Sequence, residues 1–445
     1  MAGYSTLLVI KRFRETHFRH YFRNEISRLS KVFEIIEKEK ARQDKTFELI
    51  ASENFVSENV LKAVGSCLTN KYSEGYPKNR ISGNKGRYYG GCHFVDELEE
   101  YCCEKWKEVF NTDYHVNVQP HSGSSANLAA YMSVLEQGDT ILAMNLNNGG
   151  HLTHGSPVNF SGKLFNMVFY DVDCNGYIDY SDMEDKIYRY RPKLILAGAS
   201  AYSRIIDFER IRKIIDDVLI CIAHETVERQ IFDYDGNLIS ELPEQYNPLF
   251  MVDMAHIAGL VAANIHPSPF GVADIITTTT HKTLRGTRGG LIFCKPELAN
   301  KIDSAVFPCC QGGALQHVIA GKAVTAEEDC TEEFKQYIVN VVNNCKAMCN
   351  EFITLGYDVV TGGTDNHLFL IDFSRTHPHL TGKMVQDELD KHDISLNKNC
   401  VPGEKRKPSE TSGVRIGTAA MTTKGCTEKD FVEVARRIDS IIKTM

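Results

Sequence analysis

The sequence predicts an α/β protein with a mostly parallel sheet in a large domain, followed by a smaller C-terminal domain. At 445 residues the chain is long enough for two or three domains. Hydrophobic residues make up 42 % of it and charged residues 24 %, as in ordinary globular proteins. Short apolar runs that alternate with helical patterns are typical of parallel strands, and they fall at residues 139–144, 194–198, 249–252 and 290–293.

Charge, hydropathy and cysteine content exclude several classes of function. The net charge of -8 argues against broad binding to nucleic-acid backbones. The sequence has no run of about 18 apolar residues, so we predict no membrane helix. The 14 cysteines include no C-x-x-C pair and follow no secretory signal, which favours reduced thiols and a cytoplasmic location.

Residues 1–31 form a basic N-terminal extension with seven Lys or Arg and two Glu. An Arg-rich start is typical of an organelle transit peptide, but a basic surface helix has the same composition, so both interpretations stay open. We expect a large domain over residues 32–330, joined by a helical segment at 314–328 to a small domain over residues 331–445. The boundary is placed near Thr331.

The segment DIITTTTHKTLRGTRGG, residues 274–290, has the strongest chemical signal. A β-branched strand ends there at His281-Lys282 and runs into a glycine-rich turn. Arg285 and Arg288 are expected to disfavour the ammonium form of Lys282, and a neutral amine can form a Schiff base with an aldehyde. The alternative is a solvated loop lysine. Lys282 is therefore a candidate attachment point for pyridoxal phosphate.

Two further strand ends offer partners for that cofactor. The apolar strand in PLFMVDMAH, residues 248–256, ends at Asp253, whose carboxylate would need a cation such as a protonated pyridine nitrogen. A helix N-cap is the alternative role for Asp253. Ser122, Gly123 and Ser124 precede an apolar helix, and a helix N-terminus can bind phosphate. Carboxyl ends of parallel strands share one edge of the sheet, so we expect these groups to meet.

Longer strings extend the pattern over most of the chain. They are LIASEN (49–54), NKYSEGYP (70–77), RYYGG (87–91), GGHLTHGSPVNFSGK (149–163), TTTTHKTLRG (277–286), TGGTDNHL (361–368) and TSGVRIGT (411–418). From about residue 32 to the C-terminus the chain resembles the serine hydroxymethyltransferase family. The resemblance implies the aspartate-aminotransferase-like fold type I, with a seven-stranded, mostly parallel sheet and a small α+β domain. It also implies a homodimer with shared active sites, and a tetramer is left open.

The resemblance implies an enzyme of one-carbon metabolism. Such an enzyme reversibly transfers the serine hydroxymethyl carbon to tetrahydrofolate, giving glycine and 5,10-methylenetetrahydrofolate. Its cofactor is pyridoxal 5'-phosphate on Lys282, and tetrahydrofolate is the co-substrate. Two alternatives stay open, a folate-independent threonine or 3-hydroxy amino acid aldolase and a non-catalytic paralogue. We predict no catalytic metal, because no cysteine or carboxylate set is expected to converge on the His151-x-x-His154 pair.

Site residues also follow from the resemblance. Groups with catalytic roles are Lys282, Asp253 as partner of the pyridine nitrogen, His151 stacked on the ring, His281 as an orienting group, Glu74 for proton transfer and Tyr89 near the substrate. Ser200 and His256 are expected to contact the cofactor 3-oxygen. The phosphate falls to Ser122, Gly123 and Ser124, with Tyr72, Gly312 and Gly313 from the neighbouring subunit.

The two substrates have their own sets of residues under the same resemblance. The amino acid carboxylate falls to Arg415, whose planar fork suits bidentate binding, assisted by Ser52. Glu74 and Tyr89 reach the substrate from the partner subunit. Folate contacts are Leu146, Gly150, Leu152 and Asn399, with Glu74 near the pterin.

Two insertions depart from the family pattern. Residues 78–86 supply nine residues where the family usually has two, and they join Glu74 to Tyr89. This loop is expected either at the folate or substrate entrance or bulging outward. Residues 219–248 form the second insertion, with a hairpin predicted at Asp235-Gly236. It enters the amino end of the Asp253 strand, so we expect it to lie away from the cofactor.

Overall fold

The computed structural model describes residues 30–78, 80, 86–228 and 246–445. These residues belong to two compact units, of which one ends at Glu48 and the other runs from Leu49 to Met445. In the first unit, helix α1 (Ser30–Lys45) is followed by the short strand β1 (Phe47–Glu48). Apart from its last two positions, the predicted N-terminal extension lies outside the described residues.

The second unit contains a seven-stranded sheet. Its strands are β2 (His115–Asn117), β3 (Thr140–Met144), β4 (Asn166–Tyr170), β5 (Leu194–Ala197), β6 (Leu249–Asp253), β7 (Ile275–Thr279) and β8 (Gly290–Cys294). Their spatial order is β2-β8-β7-β6-β5-β3-β4. Neighbours from β4 through β7 are parallel, and β8 is antiparallel to both β2 and β7. The predicted α/β fold with a mostly parallel sheet is confirmed, and the four apolar runs are β3, β5, β6 and β8.

Helices alternate with these strands and continue beyond them. They are α2 (Glu58–Val64), α3 (His93–Phe110), α4 (Gly123–Val134), α5 (Phe160–Leu164), α6 (Tyr180–Tyr190), α7 (Phe208–Glu228), α8 (Ala258–Ala262), α9 (Ala299–Ser304), α10 (Gln316–Asp329), α11 (Glu332–Thr354), α12 (Phe373–Thr376), α13 (Gly382–Lys391), α14 (Ala419–Thr423) and α15 (Glu428–Ile442). None of the described helices is both long and apolar enough to cross a membrane.

The seven-stranded sheet is buried on both faces. Successive residues of one strand enter different apolar clusters, as Phe250 and Met251 of β6 show. Side chains along a strand point alternately to opposite faces, so two separate clusters mean two covered faces. This explains why the strands appear in the sequence as continuous apolar runs and not as an alternating pattern. It also leaves the carboxyl edge of the sheet as the place where polar side chains collect.

A second, antiparallel sheet follows in the chain. It consists of β9 (Asp358–Val359), β10 (Leu368–Asp372), β12 (Asn397–Asn399) and β13 (Gly413–Gly417), in the order β12-β13-β10-β9. The short strand β11 (Ile394–Ser395) precedes β12. The predicted division into domains near Thr331 stays a prediction. The two sheets lie on either side of that position in sequence, and α10 contains most of the predicted connector.

The two insertions are described only in part. In the first, the structure describes Lys78, Arg80 and Gly86. In the second, α7 continues to Glu228, so the beginning of the insertion is helical. The hairpin predicted at Asp235-Gly236 lies outside the described residues.

Candidate active site

A cavity of about 350 Å³ lies where β6 and β7 end, beside the start of α4. Its lining includes eleven of the residues selected from the sequence: Ser52, Ser122, Gly123, Ser124, His151, Ser200, Asp253, His256, His281, Lys282 and Arg415. They come from distant parts of the chain. The expectation that these strand ends and loops meet is therefore supported by their arrangement.

Lys282 is buried in this cavity, with 7 % of its surface exposed. Burial lowers the pKa of its ammonium group to about 8, and the positive charges of Arg415 and Arg288 act in the same direction, while the Asp253 carboxylate opposes them. A substantial neutral fraction near pH 8 follows. The predicted effect of Arg288 on Lys282 is thus seen in the structure.

The structure does not show the same effect for Arg285. Its φ of 54° is in the left-handed region, and its guanidinium carbon lies 4.1 Å from the centre of the Tyr337 ring. The side chain is used in this cation–π contact and does not line the cavity. Arg415 supplies the second positive charge beside Lys282 instead.

Asp253 is the last residue of β6, and its carboxylate has three donors. Oδ2 accepts from Asn127 Nδ2 at 2.9 Å and from His154 Nε2 at 3.0 Å, and Oδ1 accepts from the Ala255 amide at 3.0 Å. Burial alone would raise the pKa of this carboxyl, but the hydrogen bond with His154 and the positive charge of Lys282 help to hold it well below its usual range. The anion is thus stabilised facing the cavity. The bond to the Ala255 amide is of the kind expected from the alternative role of Asp253 as a helix N-cap.

Helix α4 begins at the cavity as predicted. The Ser122 hydroxyl accepts from the Ser125 amide at 3.2 Å, which leaves the amides of Gly123 and Ser124 without partners within the helix. A Cβ at Gly123 would lie 2.6 Å from Thr279 Cγ2, so glycine allows the helix to start against the end of β7. Thr279 lines the same space, and its Oγ1 is buried without a hydrogen-bond partner among the described residues. Free amides at a helix start are suited to an anion.

Three of the histidines that line the cavity, His151, His256 and His281, are neutral near pH 7. Burial lowers the pKa of His151 to about 4 and that of His281 to about 3. Burial also lowers the pKa of His256, whose Nδ1 lies 3.2 Å from His367 Nε2. Within the described chain, His281 Nδ1 is buried without a hydrogen-bond partner. Neutral rings in these positions can pack on a flat ligand or exchange hydrogen bonds with it.

Arg415, in β13 of the second sheet, is 8 % exposed and lines the cavity. Its Nε donates to Asn397 Oδ1 at 3.1 Å and its Nη1 donates to the Ser200 carbonyl at 2.6 Å. Burial lowers the pKa of the guanidinium to about 10, so it remains charged at neutral pH. A fixed, buried guanidinium is suited to a carboxylate.

Five other predicted residues lie outside the cavity lining and form a second group, which we call the Glu74 cluster: Tyr72, Glu74, Tyr89, Gly312 and Gly313. The Tyr72 hydroxyl donates to Glu74 Oε1 at 3.1 Å, and the Tyr89 hydroxyl donates to Oε2 at 3.3 Å. The two tyrosine rings are 5.2 Å apart. A Cβ at Gly312 would lie 3.3 Å from Glu74 Oε1, and one at Gly313 would lie 3.4 Å from Tyr72 Cζ. The residues expected to reach a neighbouring subunit thus lie together.

The predicted folate residues also lie outside that lining. Leu146 and Leu152 are exposed at the surface on the loop after β3. Gly150 is buried against the Met144 carbonyl, and Asn399 Nδ2 donates to the Cys400 carbonyl at 2.7 Å. Asn147, Asn148 and Cys400, which neighbour these residues in sequence, line one small cavity. The structure therefore brings the two segments near each other, and the folate contact stays a prediction.

The reasoning used against a metal was wrong in one respect. A carboxylate does converge on the His-x-x-His pair, because one ligand atom each from His151, His154 and Asp253 lies within 4.8 Å of the others. His154 and Asp253 are hydrogen-bonded to each other, and Asn127 binds the same oxygen. His151 Nδ1 is within hydrogen-bond distance of the Thr153 hydroxyl at 2.7 Å, so each of the three groups has a partner without a metal. The absence of a catalytic metal stays a prediction.

Several site residues were missed by sequence reasoning. His154 and Asn127 hold Asp253, His367 contacts His256, and Thr279 lines the cavity. Thr279 had a usable signal, because it is the last residue of a β-branched strand at the same sheet edge as Asp253. His154 and Asn127 are separated from Asp253 by about a hundred residues or more, and no local pattern reports such pairings.

The sequence that builds this site also matches a known family. A sequence model described as serine hydroxymethyltransferase matches residues 27–225 and 218–438, which together cover most of the chain. The matched ranges contain both the cavity residues and the Glu74 cluster.

Proposed function

The chain belongs to the serine hydroxymethyltransferase family, and on this premise we propose that it transfers the hydroxymethyl carbon of serine to tetrahydrofolate and releases glycine. The family depends on pyridoxal phosphate and uses tetrahydrofolate as co-substrate. The observation that carries the proposal is the meeting of Lys282, Asp253, the start of α4 and Arg415 in one cavity. A transferase of another kind would not need a buried lysine, a buried carboxylate, a free helix start and a buried guanidinium in one cavity.

The residues present fit pyridoxal phosphate. Lys282 would hold it covalently, Asp253 would pair with the ring nitrogen, and the start of α4 would bind its phosphate. His151 would pack against the ring, and Ser200 and His256 would contact its 3-oxygen. The buried, unpartnered Thr279 Oγ1 and His281 Nδ1 leave two polar atoms in this lining for a ligand to satisfy. When bound, the cofactor supplies an electron sink for the substrate α-carbon.

The chain's own residues would bind and orient the amino acid. Arg415 would hold the α-carboxylate with its charged fork, with Ser52 beside it in the same lining. Lys282 can give up its proton near neutral pH, because its pKa is lowered to about 8. Neutral His281 would orient the reacting groups without adding a competing positive charge. These roles need no movement of the sheet, since all four residues already line one cavity.

Glu74 would move protons at the substrate hydroxyl and folate nitrogen, with Tyr72 and Tyr89 holding its two oxygens. Because the Glu74 cluster is outside the cavity of its own chain, we propose a homodimer in which each chain completes its partner's site. Tyr89 would then lie near the substrate, and Tyr72, Gly312 and Gly313 near the phosphate. Leu146, Gly150, Leu152 and Asn399 would contact folate. The cysteine content supports a cytoplasmic location, and the division near Thr331 is proposed as a domain boundary.

The test is an assay of the purified protein with pyridoxal phosphate and serine, with and without tetrahydrofolate, which measures glycine and 5,10-methylenetetrahydrofolate. We expect both products to form in equal amounts and only with folate present. Cleavage of threonine or serine at the same rate without folate would favour the aldolase instead. A folded protein that binds the cofactor and forms no product from either substrate would favour the non-catalytic paralogue.

A further inference from the structure

Glu74 has a partly exposed side chain on a buried stretch of backbone. Ser73 is fully buried, and Gly75, Tyr76 and Pro77 are buried as well. A carboxylate that must meet a substrate needs a fixed direction, and the backbone on either side sets that direction. The contacts that hold this backbone therefore matter for Glu74, although none of them touches its carboxylate.

Arg87 holds both carbonyls that flank Glu74. Its Nη1 donates to the Ser73 carbonyl at 3.0 Å and to the Gly75 carbonyl at 2.6 Å. The guanidinium is only 2 % exposed, and it also pairs with Asp96 at 2.7 Å and with Glu99 at 2.8 Å. A planar fork with five donors can make all these bonds at once, whereas an ammonium group cannot.

The Gly75 carbonyl has a second donor. Gln119 Nε2 lies 3.0 Å from it and 2.9 Å from Glu99 Oε1. Glu99, on α3, is fully buried, so its charge depends on Arg87 and Gln119 for compensation. Arg87, Glu99 and Gln119 thus form one buried network around the turn that carries Glu74.

Arg80, which belongs to the first insertion, supports the same turn from the other side. Its guanidinium is 11 % exposed, its Nε lies 3.2 Å from Asp303 Oδ2, and its carbon is 5.3 Å from the centre of the Tyr76 ring. It also donates to the Val116 carbonyl and to Cys103 Sγ. The Tyr76 hydroxyl donates to the Asp303 carbonyl at 2.7 Å. The inserted residue therefore packs inward at this point and does not bulge outward.

Asp303 links both halves of the Glu74 cluster. Its carboxylate accepts from His115 at 2.8 Å and from Asn117 at 2.7 Å in addition to Arg80. It lies in α9, nine residues before Gly312, and Gly312 and Gly313 pack against Glu74 and Tyr72. Through Tyr76 and α9, Arg80 is thus connected to both segments that form the cluster.

We propose that Arg80 and Arg87 are positioning residues that fix the backbone on both sides of Glu74 and so aim its carboxylate. Together with their buried partners Asp303 and Glu99 they are the arginine clamp. The effect of these arginines on turnover rests on the proposed function, whereas their effect on the backbone around Glu74 does not. The insertion then has a use in this chain, because it supplies one of the two arginines.

The test compares Arg80→Lys and Arg87→Lys with Arg189→Met in the full-length protein. Lysine keeps the buried charge, so the partner carboxylate stays compensated, but it cannot reproduce the several bonds of the fork. Arg87→Met combined with Glu99→Gln removes the charge pair as a unit. Arg189 is the control because its pair with Asp185 is exposed on α6.

Two measurements separate the clamp from the proposed function. Hydrogen exchange of the peptide containing residues 73–77 should be about 10-fold faster or more in the clamp variants and unchanged in Arg189→Met. Folate-dependent kcat should fall by about 10-fold or more, while cofactor affinity and the KM for serine change little. Exchange that is unchanged in every folded clamp variant overturns the proposal. If the clamp variants exchange faster but the unsubstituted protein has no folate-dependent activity, the backbone role is kept and only the proposed function is refuted.

Discussion

Lys282 and its partners lie in a buried cavity, whereas Glu74 lies between two tyrosines that are 56 % and 43 % exposed. In the cavity, burial is the main cause of the lowered pKa values of Lys282, His151 and His281. In the Glu74 cluster, the nearby carboxylate raises the pKa of Tyr72. The pKa values of the cavity residues are thus set by burial within one chain. The Glu74 cluster has a buried backbone, but its tyrosine side chains are exposed.

This difference indicates which residues can act within one chain and which need a second surface. The cavity holds the groups for a cofactor and an amino acid carboxylate in one chain, so its binding functions are expected in every subunit. The Glu74 cluster can act on a substrate only if another surface brings one to it. Substitutions in the two regions should therefore separate cofactor binding from proton transfer.

The largest expected effect is that of Lys282→Ala. It should abolish covalent attachment of pyridoxal phosphate and lower the folate-dependent rate by about 10³-fold or more, because no other described amine lines the cavity. Attachment is measured by borohydride reduction followed by mass spectrometry of the intact protein. A reduced adduct in the Ala variant would contradict the assignment.

Lys322→Met is the matched comparison. Burial lowers the pKa of Lys322 to about 8 as well, but its Nζ donates to the carbonyls of Val118, Pro120 and Gly290 at 2.7 to 2.9 Å. Its loss leaves buried acceptors unpaired and should lower stability by about 1–3 kcal/mol, with attachment at Lys282 retained. A lowered pKa alone therefore does not identify the reactive lysine. Lys322 is distinguished from Lys282 by the three backbone carbonyls that accept hydrogen bonds from its amine.

Glu74→Gln should lower folate-dependent turnover by about 10²-fold or more, while leaving covalent cofactor binding intact. The carboxylate is lost as a proton carrier, but the cavity of the same chain is unchanged. Steady-state kinetics and the visible spectrum of the bound cofactor report the two properties separately. A loss of cofactor binding equal to the loss of activity would mean that the two regions are not independent.

Mixing the Lys282→Ala and Glu74→Gln homodimers sharpens this comparison. If Glu74 acts in the partner's site, random exchange of subunits should restore activity to about a quarter of the sites. Native mass spectrometry verifies the exchange. Mixed dimers without recovered activity would show that Glu74 does not act across the subunit boundary.

The sequence predicted the residues at the strand ends well, because each reactive side chain directly adjoins an apolar or β-branched run. Asp253 ends an apolar run, Ser122 precedes an apolar helix, and Lys282 follows a β-branched strand, so each is visible within a few residues. The pairs that complete the site were not predictable in this way. His154 and Asp253 are separated by 99 residues, and Arg80 and Asp303 by 223. Arg285 packs on the distant Tyr337 ring and does not line the cavity, and no local pattern reports that contact.

Arg288→Met should raise the pH at which Lys282 becomes reactive. Removing a cation favours the ammonium form, so the midpoint should move above the value of about 8. The rate of covalent attachment of pyridoxal phosphate to the apoprotein, measured against pH, gives this midpoint. Arg285→Met is the matched control, since that side chain lies on Tyr337, and its midpoint should stay unchanged.

The same lowered pKa has a consequence for the stability of the apoprotein. Between about pH 8 and the usual value of 10.5 the unfolded state binds more protons at Lys282 than the folded state. This group therefore destabilises the apoprotein at neutral pH, and the penalty disappears as the pH rises toward 10.5. Each unit of pKa shift corresponds to about 1.4 kcal/mol. Unfolding of the apoprotein at pH 7 and pH 10 should show the difference, and Lys282→Met should reduce it while the contribution of Lys322, whose pKa is also lowered to about 8, remains.

The smallest expected effect is that of Thr279→Val. Thr279 Oγ1 is buried without a partner among the described residues, so the isosteric change should stabilise the apoprotein by about 1 kcal/mol. The same change should weaken cofactor binding severalfold, because a ligand in the cavity loses a polar partner. Thr278→Val is the matched control on the neighbouring residue, whose hydroxyl donates to the Thr279 carbonyl at 3.1 Å. The control should lose stability and keep cofactor affinity, and opposite signs in the two variants would show that the unpartnered hydroxyl is reserved for a ligand. Equal losses of stability in both would show that Thr279 is an ordinary buried residue.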